Sequence, residues 1–148
     1  MSEAEAAGES GAAGAGRAVG AAMLARLRGA PEVRGVALFN ADVAGIAGVS
    51  VLPRIEVGGG QGSDWSAVAM RGREIRTAVT VRVADGQRAR LGALVAAAEA
   101  AGEALAGDIG GWRVAAAAFV RSKPVAEKGG AAVLVEHRVR VMEIQGAA

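Results

Sequence analysis

Between Glu74 and Leu105 the spacing of apolar residues changes period within one continuous run, and that change sets the class of fold. In "REIRTAVTVRVAD", Ile75, Thr77, Val79, Val81 and Val83 alternate with Arg76, Thr80 and Arg82. A two-residue period puts the first set on one face of a strand and the second on the other, so one face is core and the other is wet. From Asp85 onward, "DGQRARLGALVAAAEAAGEALAG" places Leu91, Leu94, Val95, Ala98, Ala101 and Leu105 in a helical stripe against Arg88, Glu99 and Glu103. Small residues at Gly92, Ala96 and Gly102 let this helix, expected over residues 87–106, sit close to whatever it packs on.

The rest of the chain supplies its partners. "RAVGAAMLARLRGAPEV" holds Val19, Met23, Leu24 and Leu27 at helical spacing, with Gly29 and Pro31 as stop signals, and reads as a short first helix. "VRGVALFN" and "VSVLPRIEVGGG" read as short β segments, with Pro53 confining the second to an edge or a strand start. "GWRVAAAAFVRSKPV" and "GGAAVLVEHRVRVMEI" form a hairpin through "KPVAEKGG", and Val133, Val135, His137, Val139 and Val141 share a face of its second strand. The expectation is an α+β domain: an antiparallel or mixed sheet of about four strands, including residues 74–83, 112–121 and 131–143, with the main helix across one face.

With 148 residues the chain is long enough for one domain with a real core. Residues 1–16 carry three glutamates and no basic residue, so they lack the positive start of a secretory signal. They are also too poor in large apolar groups to offset an ordering cost of about 1–2 kcal/mol per residue, and read as a disordered tail that folding does not need. The domain is then residues 17–148, with all 17 basic residues against 12 of the 15 acids, a net charge of +5. The longest apolar run is broken by Glu99 and Glu103, short of the ~20 residues a bilayer needs, so no membrane span is expected.

Composition removes most chemistry. With no cysteine there is no disulfide framework, thiolate metal site or thiol nucleophile, and His137 is the single histidine. No Asp-rich loop has cation-ligand spacing. "GGGQG" lacks the following Lys-Ser/Thr and the helix that a phosphate cradle needs. His137 on a valine face reads as a packed or interface histidine, and Glu99 with Glu103 as a solvated helix face. The aromatics are Phe39, Trp65, Phe119 and Trp112, too few for a base-stacking platform. We therefore expect no enzyme, no catalytic residue, no cofactor and no metal. Trp65 stands out, in what reads as a loop from Gly58 to Gly72. One reading of Trp65 is an aromatic that folds back to cover the sheet edge; the other, since loop tryptophans and arginines often dominate binding energy, is that Trp65 with Arg71 and Arg73 anchors a contact to another chain.

The order of motifs resembles a known family. "SDWS" (Ser63, Asp64, Trp65, Ser66) follows a glycine-rich stretch, "GRE" opens a strand, "ARLGALVAAAEAA" forms a helix, and "GWRV" with "FVRSKPV" precedes "LVEHRVRV". Over residues 17–144 this resembles the tail-completion proteins of long-tailed phages and gene transfer agents, which are similar to tail terminators. The resemblance implies a non-enzymatic virion protein. It would form a ring, typically a hexamer, at the head-proximal end of the tail tube. Its partners would be itself, the tail tube protein and the head–tail connector, with DNA passing through the channel unread, and it would be found in the cytoplasm during assembly and then in the particle. Trp65 and Arg73 match the family's loop and strand start, and Arg121 matches the arginine of its "RS" strand end. The chain departs from the pattern in its longer tail and in "VAAAAFV", poorer in large side chains than the usual strand. A head–tail adaptor or another monomeric protein-binding module is the alternative.

Overall fold

The computed structural model describes residues 12–41, 51–66 and 70–144. The first helix, α1, spans Ala12–Arg28, and a 3-10 turn follows at Pro31–Val33. The strands are β1 (Ala37–Asn40), β2 (Arg54–Asp64), β3 (Gly72–Ala84), β4 (Asp108–Ile109), β5 (Trp112–Val125) and β6 (Gly130–Glu143). Between β3 and β4 a 3-10 segment, Asp85–Arg90, leads into α2, Leu91–Glu103.

All six strands form one sheet in the order β1-β2-β3-β6-β5-β4, parallel between β1 and β2 and antiparallel elsewhere. The valine periodicity sets its register: Ile75 faces Val139, Val79 faces Val135, Val81 faces Val133, and on the other side Ile55 faces Val81 and Val57 faces Val79. Every one of these pairs points to the same face, where α1 packs on β1, β2 and β3, and α2 on β3, β5 and β6. The predicted stripes are the buried ones. Val19, Met23, Leu24 and Leu27 of α1 and Leu94, Ala98 and Ala101 of α2 join Ile75, Val79, Val81, Val83, Val139, Val141 and Trp112 in a single core. At about 1.5–3 kcal/mol for each fully buried aliphatic side chain, this face is the main source of stability.

Polar side chains pin the junctions. The Gln87 side chain accepts a hydrogen bond from the Ala84 amide (2.9 Å) and donates one to the Leu52 carbonyl (3.1 Å), tying the β3–α2 corner to the start of β2. Arg90 donates to the Glu32 and Arg34 carbonyls (3.2 and 2.9 Å), which lie at the end of the 3-10 turn and have no continuing helix to bond them.

Four expectations need correction. Among the described residues the sheet has six strands rather than about four: both weak β segments join it, as β1 and β2, and β4 is two residues, too short to show a period. The stretch from Gly58 to Gly72 is not one long loop: β2 continues to Asp64, pairing residues 61–64 with 73–76 across a bulge between Gly58 and Gln61. Glycines leave no alternation of side chains to read, while their backbones fill the ladder. The main helix is shorter than residues 87–106, since Asp85–Arg90 is wound as 3-10 helix. The first helix is 17 residues long, not short, and takes in residues 12–16 that composition assigned to the tail. Ala15 there is fully buried. Residues 1–11 of that tail lie outside the described residues.

Candidate interaction surface

The β2–β3 turn gathers four of the five residues singled out in the sequence. Asp64 and Arg73 are register partners at the last rung of the ladder, and Arg73 Nη1 donates to Asp64 Oδ1 at 2.7 Å. Ser66 Oγ donates to the same oxygen (2.6 Å) and accepts from the Gly72 amide (3.1 Å), while the Trp65 amide donates to the Gly72 carbonyl (2.9 Å). The hydrogen bond from Ser66 above all, with the charge and hydrogen bond of Arg73, holds the Asp64 carboxyl below its ordinary value against the opposing effect of desolvation.

The Trp65 ring lies half-buried over Gly72, where a Cβ would come within 2.8 Å of Cε3. Only a residue without a side chain fits beneath it. The Arg140 guanidinium lies over the ring at 5.3 Å from its centroid, and its Nε donates to Glu74 Oε1 at 2.9 Å. Arg71 is more than half exposed and reaches Glu143 at 3.5 Å. The described ends of the turn thus form a hydrogen-bonded, partly apolar knob with the exposed side chain of Arg71 at its edge.

Arg121 is elsewhere. It donates to Glu136 Oε1 at 2.6 Å, seven positions along β6 from Glu143, roughly 24 Å at the rise of a strand. There it belongs to a mosaic on the sheet face turned away from the helices. Glu136, whose side chain is 10% exposed, lies between Arg121 and Arg76, and Glu74 lies between Arg138 and Arg140. Glu56 lies between Arg54 and Arg82, which also reaches Glu127 at 2.7 Å. Burial works against the Glu56 carboxylate, but the hydrogen bonds from Arg54 and Arg82, with their charges, outweigh it and keep its pKa low. This mosaic carried no motif; its sequence signal is the charged residues at alternating positions, Glu74, Arg76 and Arg82 in β3 and Glu136, Arg138 and Arg140 in β6.

His137 is fully buried under α2. Its ring Nε2–H donates to the Glu99 carbonyl (2.9 Å), Phe119 meets it edge-on at 5.7 Å, and a Cβ on Gly102 would land on the ring. Nδ1 and the facing Thr77 Oγ1 are buried without a partner. Burial lowers the His137 pKa, against the Glu99 carbonyl and the charges of Glu103 and Glu99. This is a packed histidine that seats the helix, and no nucleophile or carboxylate side chain is hydrogen-bonded to it. Of the three small positions in α2, Gly102 alone is needed for the close approach, since Gly92 and Ala96 are exposed.

Among the described residues no group of three side chains could hold a metal ion, and no helix is long and apolar enough to cross a membrane. A shallow groove between α1 and α2 is lined mostly by alanines, among them Ala25, Ala97, Ala100 and Ala101, with Arg26 and Glu32 as its charged groups.

No protein-family model matches the sequence, and a search of curated proteins finds no match. Solved structures do share the fold. A chain from the virion of a native gene transfer agent particle superposes with a TM-score of 0.64 at 23% identity, covering 84% of this chain and 95% of that one.

Proposed function

We propose that the chain is a structural component of a phage or gene-transfer-agent particle, a tail-completion or terminator protein that forms a ring at the head-proximal end of the tail tube. The observation that carries this reading is the fold, shared over nearly the full length of a chain from a gene transfer agent virion. The order of motifs around "SDWS", "GRE" and "RSKPV" supports it from the sequence side. In this role the protein is not an enzyme. It assembles with itself, the tail tube protein and the head–tail connector, and leaves a channel for DNA.

Asp64, Trp65, Arg71 and Arg73 suit a contact to a neighbouring subunit or to the tube, because hydrogen bonds between the two strand ends already place Asp64 against Arg73 and Trp65 against Gly72. Groups placed beforehand reduce the ordering cost of association. Arg121, on the mosaic face, would serve a separate contact to an unlike, acidic partner surface rather than to another copy. The test is native mass spectrometry of the purified chain, alone and with tail tube protein: closed rings of one stoichiometry that limit tube length are expected. A chain that stays monomeric at all concentrations yet joins heads to tails is the adaptor alternative. Trp65→Ala should weaken association by about 2–4 kcal/mol with a smaller effect on the isolated fold.

A further inference from the structure

Two arginines on the outer sheet face hold donors that the fold leaves unused. Arg76 of β3 and Arg138 of β6 are direct register partners, so their Cβ atoms lie about 5 Å apart on the same side of the sheet. Their side chains are 47% and 46% exposed, and the nearest carboxylates, Glu136 and Glu74, stand at 3.8 and 3.7 Å, beyond hydrogen-bond reach. Both carboxylates are hydrogen-bonded to other arginines: Glu136 Oε1 accepts from Arg121 at 2.6 Å and Glu74 Oε1 from Arg140 at 2.9 Å. Among the described residues, neither guanidinium of the pair makes a hydrogen bond.

Like charges directly opposite in an antiparallel pair destabilise a sheet. The fold therefore does not account for this pairing, whereas an anion between the two would. The ground beside the pair is low. Arg138 has Ala118 as its β5 partner, Arg140 has Ala116, and Ala78 follows Arg76 on the same face of β3. Methyl groups leave the guanidiniums standing above their surroundings.

We propose that Arg76 and Arg138 form a clamp for carboxylates presented by an unlike protein partner. A planar guanidinium offers paired N–H donors that match the two oxygens of a carboxylate. One carboxylate between the pair uses the idle donors and cancels the repulsion between them. An extended acidic segment presents the side chains of one face roughly 7 Å apart, which is also the spacing of Arg138 and Arg140 along β6, so a second carboxylate meets Arg140. Charge selects the class of partner. A second copy would set arginines against arginines. A nucleic-acid backbone carries its phosphates in an unbroken row that would pass over Glu74 and Glu136, whereas a protein places its acids at discrete points. The clamp rests on the reading of this face as a contact to an acidic partner and names the residues that grip it.

A poly-L-glutamate peptide is the probe, titrated against the full chain by calorimetry. Arg76→Gln and Arg138→Gln should each weaken binding about tenfold or more, and Arg138→Lys should restore little of it. Arg17→Gln, the same loss of charge at an exposed position of α1, should leave binding nearly unchanged. Both clamp variants should melt no lower than the parent chain, because each removes one of two facing like charges. A lower melting temperature in both would make the pair structural and overturn the clamp. Equal weakening by Arg17→Gln would reduce the effect to net charge and also overturn it. Duplex DNA that binds more tightly than the peptide, and is lost in the same two variants, would assign the face to nucleic acid instead. If the peptide binds only after residues 1–11, with Glu3, Glu5 and Glu9, are removed, the chain's own glutamates are the occupant and the partner falls. Ring formation in native mass spectrometry is read separately, so a monomeric chain with an intact clamp would overturn the ring alone.

Discussion

Gly102→Ala and Gly92→Ala are the same substitution in the same helix, and they should shift stability in opposite directions. At Gly102 the added methyl lands on the His137 imidazole. Neither side can yield cheaply, because His137 is fully buried, held by its bond to Glu99 and braced by Phe119. Overpacking of this kind costs about 1–3 kcal/mol. Displacing the ring also forfeits a buried hydrogen bond, about 1–3 kcal/mol where a group is left unpaired. Removing a helical glycine returns only about 0.5–1 kcal/mol. The net effect at residue 102 is a loss of about 2 kcal/mol, or roughly 4–8 °C in melting temperature for a chain of this size. Gly92 is exposed with nothing within 4 Å of the added carbon, so there the conformational gain stands alone and the melting temperature should rise by about 2 °C. Calorimetry and urea unfolding measure both. His137→Ala should largely absorb the Gly102→Ala penalty when the two are combined, because the clash is the coupling. Gly102→Ala stabilising as Gly92→Ala does would refute the close helix–sheet contact and the seat assigned to His137.

His137 sits below its ordinary imidazole value of 6.5 in the folded chain. Stability is therefore full above that pH and falls as the pH drops towards the folded-state value, where the unfolded chain alone takes up the proton; His137→Gln should flatten this slope in urea midpoints. Thr77→Val removes a buried hydroxyl that has no partner and should raise stability by about 1 kcal/mol, and a loss of that size would show the hydroxyl is bonded. Glu136→Gln leaves Arg121 and Arg76 without their shared carboxylate and should cost about 1–2 kcal/mol, less at high salt; no change at low salt would mean the mosaic contributes nothing to stability. Removing residues 1–16 shortens α1 by five residues and uncovers core around Ala15, so the melting temperature should fall, and an unchanged value would restore the tail boundary read from composition.

What could be read from the sequence follows the size of the side chains. β3 and β6 alternate mostly β-branched with charged or small polar residues, so their faces and burial were readable, as was a helix between β3 and β5 though not its ends. Where alanine and glycine take over, pattern disappears although structure does not: the second half of β2 is glycine with no face to show, and the start of α1 is Ala-Gly repeats that read as a tail. Trp65 was noticed as an isolated aromatic, but its seat on Gly72 and its stacking with Arg140 bring together residues 7 and 75 positions away, which no local pattern encodes. Arg121, singled out only by the motif at its strand end, is remote from that site, and its distance along β5 is invisible until the register with β6 is known.

The same economy of side chains limits where another subunit can dock. On the outer sheet face the guanidiniums of Arg76, Arg121, Arg138 and Arg140 stand between 37% and 55% exposed, and the four share only the carboxylates of Glu136 and Glu74. Covering them with a like surface would strip water from a net positive array and gain little in return. The helical face offers alanines, whose burial contributes little area per residue. A strand edge has neither drawback. Its backbone groups are already extended, its partner supplies one hydrogen bond for each one lost to water, and Phe119 and Val120 add apolar area beside the ladder. For a protein that can invest few large side chains in an interface, backbone pairing is the contact with the most to give.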